Sequence, residues 1–234
     1  MNYRIEVVAI DCLMVRLFDR IDESNMPWML AASRRLRSAF AECLVDLVPS
    51  YTTLMVQFDL LQMSPAEAQA CIREALSDLQ ADAGSGGREH EIPVWYDLSV
   101  GPELKLLAER CQTSLADIIR RHSEREYQVF ALGFAPGFAF MGLVEEALAT
   151  PRLATPRKRV AAGSVGIAER QTAAYPAVSP GGWNLIGRTP SKLFDRQREG
   201  YSLLQPGDRV RFVAVERATF LNLGGDDTPL EAQA

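Results

Sequence analysis

Glycine is absent from the first 83 residues, and all sixteen glycines of this 234-residue chain fall in the remainder. Charge changes at the same place: residues 1–83 carry 7 basic and 12 acidic side chains, while residues 84–234 carry 18 of each. The junction is Gly84-Ser85-Gly86-Gly87, a run with few ways to pack and the composition of a flexible linker. This break predicts two domains, 1–83 and 91–234, joined by a linker over 84–90; the alternative is a surface loop inside one domain.

Composition narrows the class. Apolar residues are 47% of the chain and charged residues 24%, values that exclude a disordered or collagenous polypeptide. No apolar run reaches the ~18–20 residues needed to span a bilayer, and the opening Met1-Asn2-Tyr3-Arg4-Ile5-Glu6 has no apolar signal core, so a cytoplasmic location without membrane contact is expected. A net charge of −5 argues against nucleic acid as a partner. Cys12, Cys43, Cys71 and Cys111 lie far apart among apolar neighbours and read as reduced core thiols. With no C-x-x-C and only His90 and His122 as histidines, no metal-ligand set is expected.

Periodicity then places the elements. Ile5–Leu17 reads as a strand or hairpin, and Asn25–Leu44 as a helix with Met29, Leu36, Phe40 and Leu44 on its apolar side, Asn25 as N-cap and Pro27 in the first turn. Residues 44–61 hold two strand-like runs, and Ser64-Pro65-Ala66-Glu67 is a capping box opening a helix to about Leu79. The order ββαββα predicts a small α/β layer. After a strand at Glu91–Tyr96 come short helices near Glu103–Cys111 and Ser114–His122, then short apolar runs between Gly and Pro, as in a β-barrel or sandwich. The chain is therefore expected to be α+β, with Leu223–Ala234 as a loose tail.

One stretch stands apart chemically. Residues 147–192 hold Arg152, Arg157, Lys158, Arg159, Arg170, Arg188 and Lys192 against one acid, Glu169, interleaved with Gly163, Gly166, Gly181, Gly182 and Gly187. Guanidinium forks bind carboxylate or phosphate at two points, and glycine lets backbone amides approach an anion. An anion site fits this pattern; so do hairpin glycines with arginines facing water. No P-loop or Rossmann fingerprint is present.

The run Tyr127-Gln128-Val129-Phe130-Ala131-Leu132-Gly133-Phe134-Ala135-Pro136-Gly137-Phe138-Ala139-Phe140 resembles the signature of the 5-oxoprolinase B-subunit family, also called KipI or allophanate hydrolase subunit 1. The likeness continues through Ala162-Gly163-Ser164-Val165-Gly166-Ile167, Gln171-Thr172, Tyr175-Pro176, Ser179-Pro180-Gly181-Gly182-Trp183, Ile186-Gly187-Arg188-Thr189-Pro190 and Pro206-Gly207-Asp208. Three departures stand out. The family's Val-Pro-Ala-Gly-Ser is here Val160-Ala161-Ala162-Gly163-Ser164, its aspartate after Gly-Pro is Glu103, and of its early Gly-Asp only Asp11 remains.

The resemblance implies a small α/β N-terminal domain followed by a cyclophilin-like β-barrel. It also implies a role beside the 5-oxoprolinase C-subunit and A-subunit in converting 5-oxo-L-proline to L-glutamate, with ATP as co-substrate at a site shared with a partner. His122 matches a histidine position of the family and suits proton transfer, or else caps its helix. Phe134 and Phe138 would wall a slot for a flat ring, or fill the barrel core. Arg152, Arg157 and Arg188 are the expected anion contacts, with Arg157 and Arg188 joining His122 as catalytic candidates. Gly163 and Ser164 would donate to the same anion, and Gln171 and Tyr175 would read the amide edge. Gly181, Gly182 and Trp183 form a rim or a contact with the C-subunit. Two rival roles accompany the family: an inhibitor of a sensor histidine kinase, and a component of an allophanate hydrolase or urea carboxylase system.

Overall fold

The computed structural model describes residues 2–82 and 87–230, and the chain divides into two compact units, Met1–Gly87 and Arg88–Ala234. Residues 84–86 of the expected linker lie outside the described residues, and its last two, Glu89 and His90, are already strand.

The first unit runs β1 (Arg4–Ala9), β2 (Cys12–Arg16), α1 (Met26–Phe40), β3 (Leu44–Ser50), β4 (Thr53–Phe58) and α2 (Pro65–Ala75), with an antiparallel sheet in the order β1-β2-β4-β3. Strand alternation buries Leu13 and Val15 of β2 with Leu54, Val56 and Phe58 of β4. Helix α1 buries Met29, Ala32, Leu36 and Phe40 at helical spacing. It ends at Phe40, four residues earlier than its periodicity suggested, because Ala41 turns the chain with φ of 44° into a 3-10 turn. Asn25 stands at the N-cap position, but its side chain donates to the Arg20 carbonyl (2.7 Å) and does not cap the helix. The capping box of α2 is complete: the Glu67 amide donates to Ser64 Oγ and the Ser64 amide donates to the Glu67 carboxylate.

The second unit contains β5 (Glu89–Val94), α3 (Glu103–Arg110), α4 (Leu115–Ser123), β6 (Glu126–Leu132), β7 (Ala139–Gly142), β8 (Arg157–Val160), β9 (Ser164–Ala168), β10 (Gln171–Ala174), β11 (Ser179–Gly181), β12 (Asn184–Arg188), β13 (Arg209–Ala214) and α5 (Arg217–Asn222). Seven strands form one sheet in the order β12-β9-β10-β7-β6-β13-β5, and β8 pairs with β11 separately. All pairings are antiparallel except β13 with β5. The sheet curls until its two ends meet: the Trp95 amide donates to the Arg188 carbonyl and the Arg188 amide to the Trp95 carbonyl, both at 2.9 Å. The chain is thus α+β, with a cyclophilin-like β-barrel as its second unit. Val129, Met141, Val165, Ile167, Ile186 and Phe212 point into the barrel, where they meet Leu104 and Leu107 of α3 and Ile118 of α4.

Two expectations are corrected. Only Cys12 is buried; Cys43, Cys71 and Cys111 are half-buried, and all four are free thiols. The tail is not loose as far as Leu230, since its backbone is tied to Arg188 and Ser99; residues 231–234 lie outside the described residues. Among the described residues no helix is long and apolar enough to cross a membrane.

Gly101 lies against the barrel strand β12, where an added Cβ would stand 2.2 Å from the Ile186 carbonyl carbon. Gly101→Ala must push main chain apart, so it should destabilise the protein by about 3 kcal/mol or more, read as a lowered melting temperature.

Candidate functional site

The two faces of the β10-β9-β12 part of the barrel have opposite chemistry. Inward-pointing Val165, Ile167, Ala174 and Ile186 belong to the barrel core. Ser164, Gly166 and Ala168 of β9 alternate with them and point outward, as do Ala173 and then Tyr175. Register places Arg188 beside Ser164, and the Tyr175 amide donates to the Ser164 carbonyl (2.9 Å). Tyr175, Ser164 and Arg188 therefore form a row across three adjacent strands, roughly 10 Å long. All three are buried: Phe138, Val160 of β8 and Trp183 cluster with Tyr175, and the Arg188 end meets the main chain of Asp226 and Thr228.

Within that layer Arg157 donates from Nη2 to Glu103 Oε1 (2.5 Å), and Glu103 Oε2 accepts the Leu185 amide (2.8 Å). Both side chains of this ion pair are about nine-tenths buried. Phe138 packs edge-to-face on Tyr175 (5.3 Å) and Trp183 (5.6 Å). The Tyr175 oxygen lies where a Cβ on Gly181 would come within 2.3 Å, which explains glycine at that position. Burial raises the Tyr175 hydroxyl's pKa; a hydrogen bond from the Trp183 amide and the nearby Arg152 and Arg157 charges oppose that rise. Arg152 lies 6.0 Å from the Trp183 ring centroid, a cation–π distance.

Arg157 Nη1, Ser164 Oγ and Arg188 Nε on this face are buried without a hydrogen-bond partner among the described residues. Such orphans are uncommon and costly in native proteins. Arg188 is only 2% exposed, and its Nη1 donates to the main-chain carbonyls of Asp226 (2.7 Å) and Thr228 (2.8 Å). Burial lowers its pKa, opposed by the charges of Asp226 and Asp227.

The remaining residues are placed differently from expectation. His122 lies on the opposite, inner face, fully buried, with its ring stacked on Phe212 (4.7 Å). Thr172 Oγ1 bonds the Gly166 carbonyl (3.2 Å), so the hydroxyl donates there and accepts from His122 Nε2–H (2.9 Å); Nδ1 then accepts from the Tyr96 hydroxyl (2.8 Å). Burial pushes the imidazole pKa down to about 3. A neutral ring with both nitrogens taken has no place for a substrate atom, which corrects the proton-transfer role expected of it. Gly163 has φ of 79°, and its amide is not bare: it donates to the Tyr175 carbonyl (2.7 Å), while Ser164's donates to Ala161 (3.2 Å). Those amides serve the sheet, so only the Ser164 hydroxyl is available to a ligand.

Phe138 fills the aromatic layer, whereas Phe134 is 62% exposed with φ of 67°. The Phe134 ring meets Phe138 (5.2 Å) and Tyr175 (6.4 Å) edge-to-face and lines a cleft of about 450 Å³ between Gly133–Gly137 and Phe194, Gly200, Tyr201 and Ser202. Gln171, half-buried, stands on the outer face at the other end of β10, about 13 Å along the strand from Tyr175. Trp183 is only 5% exposed, so it is a packing residue and not an exposed anchor; Gly181 and Gly182 beside it are partly exposed. Glu103 and the carbonyls of the tail escaped the sequence reading. An acid opening a helix after Gly101-Pro102 was the available signal for Glu103, and nothing in the sequence marked the tail. Among the described residues no cluster of His, Cys, Asp and Glu is placed to hold a metal ion.

Comparison with known proteins identifies the family. Residues 3–204 match the family model described as carboxyltransferase domain, subdomain C and D. The 5-oxoprolinase B-subunit of Bacillus subtilis (strain 168) is 35% identical over 229 residues, covering 94% of this chain and 95% of that protein. The chain belongs to the 5-oxoprolinase B-subunit family. A crystal structure of TTHA0988, 38% identical, superposes with a TM-score of 0.77 over 88% of this chain; the chain spans 40% of that longer polypeptide. The urea carboxylase of Kluyveromyces lactis gives a TM-score of 0.76 over 97% of this chain and 23% of its own, at 16% identity, a likeness of fold alone. The stretches Ala162–Ile167 and Ile186–Thr189, with Tyr175, carry the Tyr175–Ser164–Arg188 row, while their Val165, Ile167 and Ile186 fill the barrel core.

The inner histidine makes a prediction of its own. Its folded pKa is depressed below the unfolded value of about 6.5. The stability it contributes is therefore whole above pH 6.5 and lost as pH falls toward 3. Denaturation between pH 7 and 4 should show the wild type losing about 1.4 kcal/mol per pH unit more than His122→Gln below pH 6.5. Parallel profiles would mean that the imidazole titrates normally.

Proposed function

We propose that this chain is the B-subunit of a 5-oxoprolinase, acting with its A-subunit and C-subunit to open 5-oxo-L-proline to L-glutamate. The observation that carries the reading is the 35% identity to a 5-oxoprolinase B-subunit along 94% of the chain. The outer barrel face supports it chemically. The substrate is a lactam that carries a carboxylate, and Arg188 with Ser164 offers a buried cation and hydroxyl whose free valences match a carboxylate. Tyr175 and Arg157 lie along the same face to bind the ring's amide side.

A lactam resists water at neutral pH, so its opening is coupled to ATP as co-substrate. ATP is proposed to bind where this chain and the C-subunit share a site, in the cytoplasm. Within this chain the residues' task is to hold and orient. Arg188 and Ser164 fix the carboxylate, Glu103 keeps the Arg157 guanidinium in place, and Phe138 and Trp183 exclude water from the pair. Among the described residues no side chains on this face form a nucleophile–base dyad, so the reacting groups come from the partner.

The test is glutamate release from 5-oxo-L-proline by the chain co-expressed with the A-subunit and C-subunit, with and without ATP. Turnover is expected only in the assembled, ATP-supplied complex, and none from the chain alone. Arg188→Gln should lower kcat/KM by about 10–100-fold, the worth of one charge-assisted bond to a carboxylate. Release by the isolated chain, or full activity in Arg188→Gln, would contradict the proposal.

A further inference from the structure

We infer that the C-terminal segment Asp226–Leu230 is a displaceable strap that closes the Arg188–Ser164 site, competing with a carboxylate ligand for the same guanidinium. The identity of the ligand as 5-oxo-L-proline rests on the function proposed above; the strap itself does not.

The strap is built on a firm base and a pivot. Helix α5 is anchored by Phe220, fully buried with its ring 5.4 Å from that of Trp95. The chain leaves the helix through Gly224, whose φ of 84° suits glycine and whose Cβ position faces open space. Gly225 follows, its amide donating to the Phe220 carbonyl (3.0 Å) and its Cα so close that a Cβ would stand 2.4 Å from the Phe220 ring.

Beyond the pivot the segment is held by its own turn, by Arg188, by α5, by the loop at Ser99 and by the aromatic layer. The carboxylate of Asp226 accepts the Thr228 amide (2.9 Å) and hydroxyl (2.6 Å), which shapes a turn. That turn aims the carbonyls of Asp226 and Thr228 at Arg188 Nη1. Asp227 pairs with Arg217 of α5. The Leu230 amide donates to the Ser99 carbonyl (2.9 Å), and its side chain packs against the cluster of Phe138, Tyr175 and Trp183. Beneath, Arg188 Nε and Ser164 Oγ have no partner among the described residues.

A guanidinium fork thus gives one nitrogen to two neutral carbonyls and leaves another unpaired. A carboxylate would make charge-assisted bonds, roughly twice as strong as those to carbonyls, and would also satisfy Ser164. While the strap is seated, the negative charges of Asp226 and Asp227, felt at Arg188, repel an arriving anion. Strap and carboxylate therefore exclude each other. A strap seated nine-tenths of the time lowers apparent affinity about tenfold.

The test is calorimetric titration with 5-oxo-L-proline and, separately, acetate. The proteins are the full chain, a chain ending at Gly225, and Leu230→Glu, which loses only the strap's partly exposed apolar anchor. Both variants should bind both anions about tenfold more tightly than the full chain, and Arg188→Gln added to either should remove the gain. A gain with acetate but none with 5-oxo-L-proline would leave the strap standing and overturn the substrate assignment. No gain with either anion would overturn the strap. Should the shortened chain not fold, Leu230→Glu decides by the same criteria.

Discussion

The barrel closes through one reciprocal pair of main-chain hydrogen bonds between Trp95 and Arg188. A seven-stranded sheet left open would present two edges of unpaired amides and carbonyls; this seam joins them at one end. Glycine at the seam follows from the close approach, since a Cβ on Gly187 would meet the Trp95 carbonyl oxygen at 2.8 Å. Pairing with Trp95 on one side and Ser164 on the other holds the Arg188 backbone in the sheet, and its register with outward-pointing Ser164 sends the side chain onto the covered face. The position of the candidate site is thus a consequence of how the barrel shuts.

The same strands then separate two kinds of burial. Inside, His122 is fully satisfied, bridging Tyr96 and Thr172, and the ring is neutral because nothing there repays its charge. Outside, Arg157 of β8 and Arg188 of β12 are buried with only part of their donors used. An interior built only for stability would favour apolar side chains over a buried ion pair of this kind. Incomplete satisfaction in so well packed a layer is the observation behind the ligand site proposed on the outer face.

Much of the fold was legible from residue pattern. The capping box at Ser64, the apolar stripe of α1 and the short helices near Glu103–Cys111 and Ser114–His122 appear where their local chemistry predicts. What local pattern could not supply was sidedness. His122 and Arg188 lie close to one sheet, but on opposite faces, and only the register of β9, β10 and β12 assigns them. The glycines foresaw close backbone approach, yet what approaches Gly163 is the Thr189 carbonyl and not an anion. Arginine and glycine enrichment marked the stretch that holds the buried Arg157 and Arg188, while the partner of Arg157, 54 residues earlier in α3, could only be found in three dimensions.

The most direct measurement is the pattern of backbone amide shifts when 5-oxo-L-proline is titrated into the isotopically labelled chain. Binding at the covered outer face should move Ser164, Tyr175 and Arg188 together with Leu230 of the strap. Shifts confined to Gly133–Gly137 and Gly200–Ser202 would place the ligand in the Phe134 cleft and contradict it.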